Sequence, residues 1–192
     1  MNQIRAFIAI DLPSYLQESI EEQISHLRQT LGNDAIRWVP VRNMHLTLKF
    51  LGNIPGAHLD FLKQMLSQAA DSAQKFDLTI GGFGSFPTSN RIRVLWVGVH
   101  APAALASLQR EIEAGAARLG YEKDGRSFSP HLTVGRVRQG IDAGQLQRIR
   151  NAVAEIQLGR IGTARVDSVH LYQSDLHADG SVYTRLFSAP LR

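Results

Sequence analysis

One four-residue pattern occurs twice in this chain and constrains its fold and function more than any other feature. His45-Leu46-Thr47-Leu48 lies in the first half, and His131-Leu132-Thr133-Val134 lies in the second. Side chains alternate between the two faces of a β-strand, so each copy presents an imidazole and a hydroxyl on one face and two aliphatic side chains on the other. We therefore expect two strands that bury their aliphatic faces and line a shared cleft with their His–Thr faces.

The segments around the two copies follow a similar order of strands and helices. Apolar runs and alternating patterns predict strands, and apolar residues at steps of three and four predict helices. The predicted strands are 5–12, 36–51, 76–80, 93–99, 127–137, 165–172 and 182–187, and the predicted helices are 14–31, 59–69, 105–119 and 142–156. Each half contributes two helices and one His-x-Thr strand, so the sequence indicates a loose internal duplication.

This order predicts an α+β fold with two lobes related by a pseudo-twofold axis. Each lobe is expected to have an antiparallel-rich sheet with helices on its outer side, and the two sheets are expected to face a central cleft. No Pro/Ser-rich linker or low-complexity tract separates the halves. We therefore expect residues 1–192 to form a single bilobal domain.

Local signals predict where several of these elements begin or turn. Ser14 with Gln17, and Asp142 with Gln145, have the spacing of capping boxes at two helix starts. Asp179-Gly180 predicts the turn of a C-terminal hairpin.

Composition excludes some kinds of site and mildly favours an anionic partner. The 192-residue chain has no cysteine, which excludes disulfides, thiolate metal sites and cysteine nucleophiles. Its net charge of +4 is carried by 17 arginines and 4 lysines, and arginine binds phosphate with two parallel hydrogen bonds. A solvated basic surface explains so small a charge equally well. No signal peptide pattern and no apolar stretch of membrane-spanning length is present, so we expect a soluble, cytoplasmic protein without membrane association.

The residue types in the two patterns favour acid–base chemistry on an anion. Histidine exchanges protons near neutral pH, and the two threonine hydroxyls can donate hydrogen bonds to anionic oxygens. Arg136 follows Thr133 by three residues and can add a charged donor. Aromatic residues near the patterns are candidates for stacking on a base, although core packing is the more ordinary role for most of them: Phe7, Phe50, Phe128, Tyr172 and Tyr183.

Competing sites are less well supported by the sequence. Neither pattern has the spacing of a metal-binding histidine pair, so no metal is expected. The glycine cluster at 81–84 lacks the Gly-Lys-Ser/Thr ending and the following helix of a nucleotide-binding loop. A serine hydrolase elbow, Gly-x-Ser-x-Gly, is also missing.

The patterns resemble the paired His-x-Thr-x motifs of the 2H phosphoesterases. His-Leu-Thr-Leu-Lys-Phe-Leu-Gly at 45–52 and Phe-Ser-Pro-His-Leu-Thr-Val-Gly-Arg at 128–136 are similar to those of the RNA 2′,3′-cyclic phosphodiesterases, also called 2′–5′ RNA ligases. The resemblance extends to the opening segment at 5–13, the strand at 93–98 and the late segments Leu171-Tyr172 and Tyr183-Thr184.

The resemblance implies a metal-independent hydrolase, without a cofactor, that opens an RNA-terminal 2′,3′-cyclic phosphate to a 2′-phosphomonoester. It implies that His45 is the proton donor and His131 the proton acceptor, and that Thr47, Thr133 and Arg136 bind the phosphate. Spacing alone leaves the two histidine roles open, because the duplication is nearly symmetric. Phe50, Phe128 and Tyr172 are the candidates for base stacking.

Two other functions remain open at this point. The same geometry run backwards joins a cyclic-phosphate end to a 5′-hydroxyl as a 2′–5′ linkage, and a non-catalytic module could bind RNA ends or nucleotides in the same cleft. The expected partners are RNA ends or small nucleotides that carry a 2′,3′-cyclic phosphate, and the expected state is a monomer.

Overall fold

The computed structural model describes residues 3–87, 91–177 and 180–192, which form nine strands, four α-helices and two short 3₁₀ helices. The strands are β1 (Gln3–Asp11), β2 (Ile36–Trp38), β3 (His45–Pro55), β4 (Phe76–Phe86), β5 (Val94–His100), β6 (His131–Val137), β7 (Arg160–Val166), β8 (Ser168–His177) and β9 (Gly180–Pro190). The α-helices are α1 (Ser14–Leu31), α2 (Leu59–Asp71), α3 (Ala103–Arg118) and α4 (Ala143–Glu155), and the 3₁₀ helices are Val41–Asn43 and Gly56–His58.

The strands form two antiparallel halves that meet at the centre of the molecule. The strand order is β7-β4-β5-β6-β3-β1-β8-β9, with β2 also paired to β6. β3 and β6 are joined through the single register pair Leu46–Leu132, so the two halves are continuous as one curled sheet. The predicted α+β class and the antiparallel halves are confirmed, and the His-x-Thr strands are the two that meet.

The two halves of the sequence exchange strands. β4 comes from the first half of the chain but pairs with β5, and β8 comes from the second half but pairs with β1. Each His-x-Thr strand is thereby flanked by a sheet to which both halves of the sequence contribute. The buried hydrophobic side chains of both lobes belong to one core cluster, which favours the prediction of a single domain.

The helices cover the aliphatic face of the sheet and leave the opposite face open. α2 and α3 pack together and against strands β3, β8 and β9, while α1 packs against β7 and α4 against β4. The aliphatic side chains of both motifs are at most 4% exposed in the core beneath these helices. None of the described helices is long and apolar enough to cross a membrane.

Several element ends differ from the sequence predictions. The predicted strand 36–51 is divided, because Pro40 has no N–H to donate to a ladder and the chain forms the 3₁₀ helix Val41–Asn43 before β3 begins. The predicted strand 127–137 begins only at His131.

The two predicted capping boxes have different outcomes. The box of Asp142 with Gln145 is confirmed by both of its hydrogen bonds. The predicted box at Ser14 is wrong: Pro13 is the N-cap, no side chain caps the helix, and the Gln17 amide instead donates to the carbonyl of Met44.

The C-terminal hairpin is confirmed by the antiparallel pairing of β8 with β9, which extends to the pair His177–Gly180. Asp179, the first residue of the predicted turn, lies outside the described residues.

Candidate active site

The two His-x-Thr strands bring four polar side chains together on the open face of the sheet. β3 and β6 are antiparallel with Leu46 opposite Leu132, a register that places His45 beside Thr133 and Thr47 beside His131. In such a ladder, diagonal neighbours lie about 7–8 Å apart, so the two imidazoles occupy opposite corners with room for a small anion between them. All four side chains are half-buried. We call these four residues the quartet.

The two histidines are oriented by the same local hydrogen bond. Nδ1 of His45 lies 2.8 Å from the carbonyl oxygen of Asn43, and Nδ1 of His131 lies 2.7 Å from the carbonyl oxygen of Ser129. A carbonyl oxygen only accepts, so Nδ1 carries the proton in both rings and donates it. Nε2 of each ring is therefore the atom available to exchange a proton with a ligand.

A β-bulge brings Arg136 to the face of the quartet. Strict alternation would place position 136 on the buried face with Leu132 and Val134. However, Leu95 pairs with Gly135 while Trp96 pairs with Thr133, so Val134 is an extra residue in β6. Alternation is shifted by one residue beyond the bulge, Gly135 is buried, and Arg136 is exposed on the His–Thr face.

Gly135 is required at this bulge by its neighbours. A Cβ added there would lie 2.9 Å from Cγ2 of Ile36 and 3.1 Å from Cε3 of Trp38. Any larger residue must therefore displace the β2 side chains that pack under the bulge.

The first motif contains the same kind of bulge. Ile8 pairs with Lys49 and Ala9 with Thr47, so Leu48 is the extra residue in β3. Lys49 consequently joins the buried face, while Phe50 is 58% exposed on the His–Thr face. Phe50 and Arg136 therefore occupy equivalent positions in the two motifs.

An aromatic cluster holds His45. Phe7 stacks on the rings of His45 and Tyr172, with ring centroids 4.8 Å and 5.3 Å apart. Tyr183 contacts the His45 ring edge-on, with a centroid separation of 5.3 Å. The hydroxyl of Tyr172 donates to the Asp11 carboxylate, with both oxygens at 2.7 Å. Burial and this carboxylate raise the pKa of Tyr172 well above its usual range.

The pKa of His45 is shifted by the same surroundings. Burial lowers it below the usual value of 6.5, and this effect outweighs the hydrogen bond to Asn43 and the negative charge of Asp11, both of which raise it. The positive charge of Arg136, which lies on the same face of the sheet, lowers the pKa further. An anion bound between these groups would favour the protonated imidazole.

A cleft of about 540 Å³ opens beside His45. It is lined by aromatic rings, two arginines, one carboxylate and residues of the β8–β9 hairpin: Phe7, Asp11, Leu12, Gln17, Arg42, Asn43, Met44, His45, Tyr172, Ser181, Val182, Tyr183 and Arg185. Its size and its mixture of aromatic and charged groups suit a nucleoside.

His131 has fewer neighbours than His45. Phe86 meets its ring edge-on at 5.0 Å, and Phe86 also packs at 5.2 Å against Trp96. The Trp96 ring lies over Gly84, where an added Cβ would clash with it. Phe128, the aromatic residue that the sequence places nearest to His131, packs against the core instead.

A buried ion pair links β3 to the loop that leads into β6. Nζ of Lys49 lies 2.5 Å from Oε1 of Glu113 on α3 and 2.5 Å from the carbonyl oxygen of Glu122. Oε1 of Glu113 also accepts the backbone N–H of Asp124. The loop that ends at His131 is therefore held to the first motif strand.

The structure brings together most of the predicted site residues. His45 and Tyr172 line the cleft. The other three quartet residues, Arg136 and Phe50 lie on the same open face of the sheet, whereas Phe128 packs against the core. Asp11, Phe86 and Lys49 were not identified from the sequence as parts of the site. Asp11 had a signal in the sequence, because a charged residue directly follows the apolar run 6–10.

The described residues contain no group of three or more His, Cys, Asp or Glu side chains placed to hold a metal ion. The polar groups of the site are imidazole, hydroxyl, guanidinium and one carboxylate engaged by Tyr172. This set suits an anion held by hydrogen bonds and positive charge.

Comparisons with a family model and with known proteins agree on one family. The model of the 2′-5′ RNA ligase superfamily matches residues 16–178. A protein of Methanothermobacter thermautotrophicus named RNA 2′,3′-cyclic phosphodiesterase is 33% identical over 184 residues, which cover 95% of this chain and 96% of the relative. A protein of the same name from Methanocaldococcus jannaschii is 32% identical over 180 residues, which cover 94% and 96%.

Solved structures share the fold. A Thermus thermophilus protein superposes with a TM-score of 0.82 at 24% identity and covers 98% of both chains. Escherichia coli LigT, crystallised with 3′-AMP, superposes with a TM-score of 0.77 at 28% identity and covers 99% of both chains. LigT has also been crystallised with phosphate and with ATP.

Proposed function

The chain belongs to the 2′-5′ RNA ligase superfamily, and we propose that it is a phosphodiesterase that hydrolyses RNA-terminal 2′,3′-cyclic phosphate to a 2′-phosphomonoester without a metal. The observation that carries this proposal is the quartet: two imidazoles at opposite corners, each with an Nε2 that has no hydrogen-bond partner among the described residues, and a hydroxyl beside each. The names of the curated relatives support the same activity.

In the proposed reaction, His131 accepts a proton from the attacking water and His45 donates one to the leaving oxygen. The water oxygen forms a bond to phosphorus, the bond from phosphorus to O3′ breaks, and O3′ takes the proton from Nε2 of His45. The phosphate remains on O2′. Each proton transfer by a positioned side chain contributes about 10²–10⁴ in rate.

The remaining polar groups of the site would hold the phosphate. Thr47 and Thr133 donate from opposite corners of the quartet, and Arg136 adds a charge-assisted donor, to the non-bridging oxygens on which negative charge grows. The phosphate charge also offsets the effect of burial on His45, so that the imidazole takes up its proton when substrate is bound.

The donor role of His45 is consistent with the position of the cleft. O3′ belongs to the terminal nucleoside, so the group that protonates it must lie on the nucleoside's side of the phosphate. The nucleoside-sized cleft is beside His45, and Tyr172 lines it. The exposed ring of Phe50 lies next to the cleft, with its centroid 6.1 Å from that of Phe7, and offers a second surface for a base.

The test uses an oligonucleotide that ends in a 2′,3′-cyclic phosphate, incubated with the protein and excess chelator. The expected product carries a 2′-phosphate. A 3′-phosphate product, or loss of turnover on chelation, would contradict the mechanism. Binding without turnover would indicate a non-catalytic RNA-end module instead.

Single variants test the acid–base pair. His45→Ala and His131→Ala are each expected to lower kcat by about 10²–10⁴, because each removes one proton transfer. His26→Ala on the exposed surface of α1 is the matched control and should retain full activity. Full turnover by either quartet variant would eliminate that histidine as acid or base.

The reverse reaction, 2′–5′ ligation, uses the same atoms with a 5′-hydroxyl in place of water. Nδ1 of each ring makes the same kind of hydrogen bond and leaves Nε2 to exchange protons, so the acid and base roles can be exchanged between the two histidines. Comparing kcat/KM for hydrolysis and for joining decides which reaction dominates. We further propose a monomeric, cytoplasmic enzyme, and light scattering after size exclusion would measure the first of these properties.

A further inference from the structure

Two arginines face each other across the strands next to the quartet. Arg37 on β2 is the register partner of Arg136 on β6. Ile36 is fully buried and Arg37 is exposed, so the Arg37 side chain projects from the same open face as Arg136. Like charges directly opposite each other on one face of a sheet destabilise it. This pair therefore has a cost unless an anion lies between the two guanidinium groups.

No carboxylate in the described part of the chain offsets that cost. Among residues 3–87, 91–177 and 180–192, neither Arg37 nor Arg136 forms an ion pair with a carboxylate or donates a side-chain hydrogen bond. Other arginines of this chain do pair, as Arg28 does with Glu21 and Arg165 with Asp77. Desolvation in the groove lowers the pKa of Arg136, as does the charge of Arg37, while Tyr183 raises it.

The arginine pair lies at the His45 end of the quartet. β3 pairs with β6 at Leu46 and Leu132, and further along the same edge of β6 its neighbour is β2. Along this edge, Arg37 of β2 therefore lies beyond His45 of β3. Thr133 and Arg136 are three residues apart, which is about 7–10 Å of strand with one bulge. Arg37 is therefore beyond the space of the scissile phosphate, on the side of the terminal nucleoside.

We propose that Arg37 binds a second phosphate, the internucleotide phosphate that precedes the terminal nucleotide of the RNA, and that Arg136 donates both to this phosphate and to the scissile one. Two guanidinium groups on one face match the oxygens of a phosphodiester. The substrate class is then an RNA end of at least two nucleotides, and a lone nucleoside cyclic phosphate leaves Arg37 without a phosphate. This inference rests on the proposed function, because it takes the RNA end to be the substrate.

Two substrates separate this site from the scissile site. One is a nucleoside 2′,3′-cyclic phosphate without a 5′-phosphate, and the other is the dinucleotide that ends in the same cyclic phosphate. The wild-type protein should prefer the dinucleotide in kcat/KM. Arg37→Ala should lower that preference about tenfold, mainly through KM, since a charge-assisted hydrogen bond is lost. Arg148→Ala, an exposed arginine on α4, is the matched control and should keep the wild-type preference.

The outcomes that overturn the inference are distinct. An equal loss on both substrates would place Arg37 at the scissile phosphate or in a structural role, and no loss on either would remove it from substrate binding. Turnover of neither substrate by the wild-type protein would refute the proposed function instead. The arginine pair is then tested alone with a fluorescent dinucleotide that has one internucleotide phosphate and no cyclic end. For this ligand Arg37→Ala should reduce the slope of log K against log salt by about 0.7.

A stability measurement separates binding from folding. Removal of one of two opposed like charges should leave the melting temperature of Arg37→Ala unchanged or slightly higher at low salt. A lower melting temperature would show that Arg37 supports the fold and would count against a site built for a ligand.

Discussion

The buried ion pair between Lys49 and Glu113 should be one of the most sensitive points in the molecule. The side chains are 4% and 15% exposed, so both charges are largely removed from water. Lys49→Met keeps an unbranched apolar stem and deletes the charge. The Glu113 carboxylate then keeps only the backbone N–H of Asp124 on Oε1, while its buried Oε2 has no hydrogen-bond partner even in the intact pair.

The expected cost follows from this uncompensated charge. Removing one partner of a buried pair destabilises a protein by about 3–5 kcal/mol. For a chain of this size each kcal/mol lowers the melting temperature by about 2–4 °C, so Lys49→Met should melt about 6–20 °C below the wild-type protein. Urea unfolding provides the free energy, with an unchanged slope as the sign that the unfolded state is the same.

The double variant Lys49→Met with Glu113→Leu tests the reason for the loss. Replacing both partners by apolar groups removes the stranded carboxylate, so most of the lost stability should return. A cost of less than about 1 kcal/mol for Lys49→Met would refute the importance of the pair. A double variant that is less stable than Lys49→Met would show that lost packing, and not the unpaired charge, causes the effect.

Three further predictions concern the site. Burial lowers the pKa of His45 below 6.5, so the protonated donor form of the free enzyme disappears as pH rises. In a plot of rate against pH, the falling limb of kcat/KM should therefore lie below pH 6.5, and the falling limb of kcat should lie at higher pH. Coincident limbs would contradict this prediction. Asp11→Asn removes a negative charge that raises this pKa, so the kcat/KM limb should move further to acid, and a shift to alkali would oppose the assignment. Gly135→Ala should cost about 1–3 kcal/mol in urea unfolding because its Cβ meets Ile36, whereas Gly125→Ala, which has open space, should not.

The quartet could be predicted from the sequence because it depends only on the alternation of side chains in a strand. The same rule fails at Arg136. Alternation from Thr133 assigns position 136 to the buried face, and only the bulge at Val134 reverses this. A bulge depends on how the neighbouring strand pairs, and this is a long-range property that local residue types do not specify. Gly135 was the one local indication.

Long-range pairing also explains why the sequence did not predict which strands belong to each lobe. The pattern of strands and helices indicated two similar halves of the sequence, and the sheet does have two antiparallel halves. However, β4 pairs with β5 and β8 pairs with β1, so each sheet contains a strand from the other half of the sequence. Hydrophobic periodicity identifies which face of a strand is buried and does not identify its neighbours. At the start of α1, similarly, the Gln17 side chain donates its hydrogen bond to the carbonyl oxygen of Met44, which is distant in the sequence.

The two motifs are nearly symmetric, so the differences between the surroundings of His45 and His131 indicate which histidine is the acid. The equivalent bulges in β3 and β6 present Phe50 in one motif and Arg136 in the other. His45 lies in an aromatic cluster with Asp11 and borders the nucleoside-sized cleft, whereas the described ring contact of His131 is a single phenylalanine. The attacking water needs little more than a base and an open approach, whereas the leaving oxygen arrives attached to a nucleoside that must be bound. We therefore infer from the surroundings, independently of family resemblance, that the donor is the histidine beside the aromatic cleft. If Phe50→Leu and Tyr172→Leu raise KM for the cyclic-phosphate dinucleotide while Phe86→Leu does not, the inference holds, and the opposite pattern would assign the donor role to His131.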